Sequence, residues 1–103
     1  MKYEILVKVF ERSIEFHSTD NGTLRWISLE IERNHSFLGN PRVLSIRGQV
    51  VQINGFSDHN HACNCATWVE GLLLNEGWTE DTKVGRPRNE KWYKKSVLKN
   101  GKS

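Results

Sequence analysis

The chain has 103 residues, 37% hydrophobic and 26% charged, with four Trp and a formal net charge of +3. Those values suit one small folded domain and exclude a chiefly disordered chain. No apolar run nears the ~18 residues of a membrane span, and the opening MKYEILVKVF, broken by Glu4 and Lys8 and without a small-residue cleavage site, reads as a strand and not a signal peptide.

Charge is unevenly placed. Residues 1–82 carry seven Lys/Arg against eleven Asp/Glu, and residues 83–103 carry eight against one. The expected organisation is therefore an α+β core domain over 1–82 followed by a basic C-terminal segment over 83–103.

In chain order, YEILVKVF puts Tyr3, Ile5, Val7 and Val9 on one face of a first strand. SIEFHSTDNGTLRWISLEIE then reads as a β-hairpin, because Asn21-Gly22 is a favoured pair for a two-residue type I′ turn. That register sets Ile14 opposite Leu29 and Phe16 opposite Ile27, with His17 on the other face. RNHSFLGNP reads as a loop or a short strand, RVLSIRGQVVQING as one bent strand or two short ones, and FSDHNHACN as a polar loop.

A helix is expected from about Cys65 to Glu76, with Ala66, Trp68, Val69, Leu72 and Leu73 as its buried stripe and Gly77 at its end. WTEDTKVGRPRN reads as a linker. Pro87 is placed to open a second short helix, RNEKWYKKSVLKN, with Trp92, Tyr93 and Val97 on one side. The expected fold is α+β, a small antiparallel sheet of four to five strands packed by one main helix.

The two cysteines, Cys63 and Cys65, are too close in sequence for an unstrained bridge. Two free thiols fit a reducing compartment, so a cytoplasmic location is expected. With Asn64 as N-cap, Cys65 would occupy the first helical position. There the helix dipole and unpaired N–H groups favour a thiolate, the setting of a cysteine nucleophile. All four histidines (His17, His35, His59, His61) precede it.

NCATWVEGLLLNEG resembles the Asn-Cys-x-x-aromatic helix of the permuted papain-like superfamily, which includes lecithin retinol acyltransferase-like and amidase-like cysteine hydrolases. The matching residues are Asn64-Cys65-Ala66-Thr67-Trp68. The resemblance implies Cys65 as nucleophile and His35, in HSFL, as base. It implies hydrolysis or acyl transfer at an amide or ester bond of a small-molecule or peptide substrate, with no cofactor. The competing expectation is that Cys65 is a small core hydrophobe.

HNHACNC also offers His59, His61, Cys63 and Cys65 as metal ligands. In an extended loop four such alternate residues span about 20 Å, too far for zinc bonds of about 2.0–2.3 Å, so no metal is assigned. The letters HNH do not make a nuclease, since that motif disperses its residues over a ββα metal fold.

In the basic segment, Arg86, Arg88, Lys91, Lys94 and Lys95 interleave with Trp92. Cations contact phosphates and aromatics stack on bases. This supports the alternative function: a non-enzymatic binding protein of mobile-element or phage accessory type, whose tail engages nucleic acid or an acidic protein.

Overall fold

In the computed structural model, residues 2–46, 49–82, 85 and 87–96 are described. The elements in order are β1 (Lys2–Val9), β2 (Ser13–Ser18), α1 (Asn21–Arg33), β3 (Arg42–Ile46), β4 (Val50–Asn54), α2 (His59–Asn75), β5 (Thr79–Glu80) and β6 (Glu90–Ser96). The strands form one antiparallel sheet in the order β3-β4-β2-β1-β6-β5. The α+β class expected from the sequence is the one observed, with six strands and two helices among the described residues.

The register sorts the side chains. Ile5, Val7, Ile14, Phe16, Val51, Ile53 and Tyr93 share one face and are buried. Both helices cover that face, α1 against β2, β3 and β4, and α2 against β1 and β2. Opposite residues in an antiparallel pair share a face, so Leu6 and Trp92, Lys8 and Glu90, and His17 and Val50 lie together on the uncovered side. Among the described residues no helix is long and apolar enough to cross a membrane.

The expected hairpin at Asn21-Gly22 is replaced by a helix start. Asp20 is the N-cap, accepting from the Gly22 N–H at 3.2 Å and from the Thr23 hydroxyl at 2.6 Å. Residues 23–31 satisfy two periodicities. Alternation would bury Ile27, Leu29 and Ile31; a helix buries Leu24, Ile27 and Ile31 at spacings of three and four. The helix prevails because β2 already has both edges taken, by β1 (Phe16 opposite Val7) and by β4 (Phe16 opposite Val51). Leu29 is left 47% exposed.

α2 begins six residues before the expected start. Its N-cap is Asp58, whose carboxylate accepts from the His61 N–H at 2.9 Å, and Asn64 is an exposed interior residue. Ala62, Cys65, Val69 and Leu73 form the buried stripe, so the polar residues that suggested a loop are the helix's solvent side. The helix ends in a Schellman turn. Gly77 takes φ 94°, its N–H donates to the Leu74 carbonyl at 3.2 Å, and the Trp78 N–H donates to that of Leu73 at 3.0 Å.

The basic segment is partly sheet. The expected helix is corrected to β6, hydrogen-bonded to β1 along Glu90–Ser96. The expected linker over 78–89 carries the two-residue β5 near its start, with no helix or strand in the rest of its described residues. Among the described side chains of β6 only Tyr93 is buried, which is why its lysine-rich sequence does not announce a strand. Arg86 and Val97 lie outside the described residues.

Candidate active site

The structure separates the two cysteines. Cys65 sits in the second turn of α2, not at its first position, and has no exposed surface. Burial pushes its thiol up to about 12. It belongs to the core with Val69, Leu38 and Leu73. A sulfur held protonated and away from solvent lacks the setting that a nucleophile needs. His35 lies in the turn after α1, exposed, with its Nδ1 2.9 Å from the Glu32 carbonyl. Among the described residues no histidine hydrogen-bonds to Cys65.

Cys63 is different. Two helical positions turn the chain by about 200°, so Cys63 leaves the core stripe and is half-buried. His59, one turn earlier, lies on the same strip of the helix. The His59 Nε2 is 3.3 Å from the Cys63 sulfur, and its Nδ1 is 3.1 Å from the Phe10 carbonyl oxygen. A carbonyl only accepts, so Nδ1 carries the proton. In the neutral ring Nε2 is then the acceptor, aimed at the thiol. The Phe10 carbonyl is itself positioned by the tight β1–β2 turn, where the Phe10 N–H donates to the Ser13 carbonyl at 2.8 Å.

This pair opens on a cavity of about 280 Å³ between α2, β1 and the chain leading into β6. Val7 and Val9 from β1 and Ala66 from α2 make its apolar walls. Tyr93 lies beside Glu70; burial first, and then the Glu70 carboxylate as acceptor, holds the phenol protonated. Lys91 is 3.7 Å from Glu70, and Arg88, Asn89 and Thr67 supply the remaining polar groups. The volume is near the lower end for small-molecule sites.

Two other histidine clusters lack this arrangement. Ser57 and Asp58 both address Nδ1 of His61, at 3.1 and 2.8 Å, so no proton path runs through the ring from serine to carboxylate. The bonds from His61, its backbone N–H first, hold the Asp58 carboxyl below its ordinary range. His17 meets Glu15 at 2.9 Å on the uncovered sheet face. Among the described residues no three His, Cys, Asp or Glu side chains group as a metal site.

The other residues singled out in the basic segment are divided between two faces. Lys91 and Lys95 share the helix-covered face with Tyr93, whereas Trp92 and Lys94 lie on the uncovered one, opposite Leu6 and Glu4. Arg88 stands at the cavity. Sequence reading missed His59 and Cys63 because it placed the helix start at Asn64. Moved to Asp58, the same letters put His59 and Cys63 at a spacing of four. Compared with family models, curated proteins and solved structures, the chain matches none.

Proposed function

We propose that this chain is a cysteine-dependent hydrolase or acyltransferase acting on an amide or ester carbonyl, with Cys63 as nucleophile and His59 as its base. The observation that carries this reading is the His59 ring, held through Nδ1 by the Phe10 carbonyl and presenting Nε2 to the Cys63 sulfur at the cavity wall. It is the nucleophile–base–orienter geometry of covalent catalysis, with a backbone carbonyl in the third role.

The thiol proton passes to Nε2 as the Sγ–carbonyl carbon bond forms. The bond to the leaving amine or alcohol then breaks, and the imidazolium returns the proton to that group, leaving a thioester on Cys63. Water, or the acceptor's own nucleophile, gives a proton to Nε2 and attacks the thioester, freeing the thiol.

The test is p-nitrophenyl acetate as an acyl donor, followed by mass spectrometry. An acetyl group is expected on Cys63 and not on Cys65. Nitrophenolate release should slow by about 100-fold in His59→Gln, the lower range for general-base catalysis. Release no faster than with a small free thiol, or unaffected by His59→Gln, removes the enzymatic reading.

A further inference from the structure

We infer that the substrate of this site carries a carboxylate, held by Arg88 while Cys63 attacks. This substrate class rests on the Cys63–His59 reading and adds charge recognition to it. Among the described residues, four ionisable side chains stand round the cavity besides Cys63 and Tyr93: His59, Glu70, Arg88 and Lys91. Three have partners within the protein. His59 is occupied by the Phe10 carbonyl and Cys63, and Lys91 is paired with Glu70. Arg88 has no ion pair or hydrogen bond among the described residues, and it is exposed at the cavity.

The backbone on both sides of Arg88 is tied down. The Pro87 carbonyl accepts from the Glu90 N–H at 3.1 Å, and the Asn89 carbonyl accepts from the Val9 N–H at 2.8 Å. The guanidinium is thus carried on a turn tied to the end of β1. Lys91 and Glu70 cancel, so among the described residues the cavity holds one uncompensated positive charge. A single carboxylate matches it. A phosphate monoester, with about −1.5 to −2 charge at neutral pH, would leave an excess. The planar fork of arginine also suits two-point contact with a carboxylate. The apolar walls from Val7, Val9 and Ala66 then take the carbon skeleton between the acid and the reacting carbonyl.

The probe pair is iodoacetate and iodoacetamide. Both alkylate sulfur with loss of iodide, and they differ in the carboxylate. The readout is the ratio of their second-order rate constants at Cys63, located by peptide mapping and divided by the same ratio for glutathione in the same buffer. In the wild-type chain this normalised ratio should be about 10 or more, the low end of rate enhancement from a focused field. Arg88→Gln should bring it to about 1, and Lys8→Gln, which removes an equal charge on the other side of the sheet, should leave it high.

A normalised ratio near 1 in wild type, with both reagents still reacting in a His59-dependent manner, overturns the carboxylate inference and leaves the nucleophile standing. Rates equal to those of glutathione for both reagents and insensitive to His59→Gln overturn the nucleophile, and the substrate class with it. A high ratio that persists in Arg88→Gln also overturns the role of Arg88.

Discussion

The burial of Cys65 makes folding stability depend on alkaline pH in a way that one substitution isolates. In the unfolded chain the thiol titrates near its ordinary value of 9.0, and in the folded protein burial moves it to about 12. The folded state therefore keeps this proton across a window in which the unfolded state gives it up. Stability from the group is complete below about pH 9 and declines as pH rises towards 12. Each pH unit inside the window is worth about 1.4 kcal/mol per proton. Between pH 8 and pH 10 the loss attributable to Cys65 is roughly 1–2 kcal/mol. The comparison is with Cys65→Ala, which retains Tyr93, Cys63 and every lysine, so their titrations cancel in the difference. Urea unfolding under reducing conditions, followed by tryptophan fluorescence at pH 8, 9 and 10, measures it. The wild-type midpoint should fall more steeply than that of Cys65→Ala. Parallel pH dependences would mean that the Cys65 sulfur meets solvent or a cation in the folded state, and the contrast between a buried Cys65 and a half-buried Cys63 would collapse.

Two further predictions test the elements that differ most from sequence expectation. Ile27→Ala should cost about 2–5 kcal/mol by urea unfolding, whereas Leu29→Ala should stay within about 0.5 kcal/mol, since only the first is buried on a helix stripe; similar costs at both sites would favour a strand. Asp58→Ala removes the N-cap of α2 and should cost about 1 kcal/mol, with Asp58→Ser recovering most of it. An unchanged unfolding midpoint in Asp58→Ala would place the start of α2 elsewhere.

What could be read from the sequence follows from where one physical signal acted alone. The alternation of Ile5, Val7 and Val9 has no competing period, and β1 forms there. The core stripe of α2 was legible through Val69 and Leu73, and Gly77 as its stop. Residues 23–31 carried two valid patterns, and the choice between them depended on β4 occupying the second edge of β2. The start of α2 was hidden because its first three residues, His59, Asn60 and His61, are polar and exposed. That misplacement put the candidate thiol at Cys65, in the helix's core stripe, and not at Cys63, two residues earlier at the cavity.

The neighbours of β1 bear on how the chain reaches this structure. One, β2, follows it directly through a tight turn, so that pairing forms by local closure. The other, β6, sets Trp92 against Leu6 from the far end of the fold. Long-range pairing of this kind is slow, because a large loop must close before any contact rewards it. Until β6 arrives, β1 presents an open strand edge rich in aliphatic side chains, a template for pairing with other chains. Aggregation during refolding should therefore track the delay in docking residues 90–96 and be worst at high protein concentration, whatever the stability of the finished sheet.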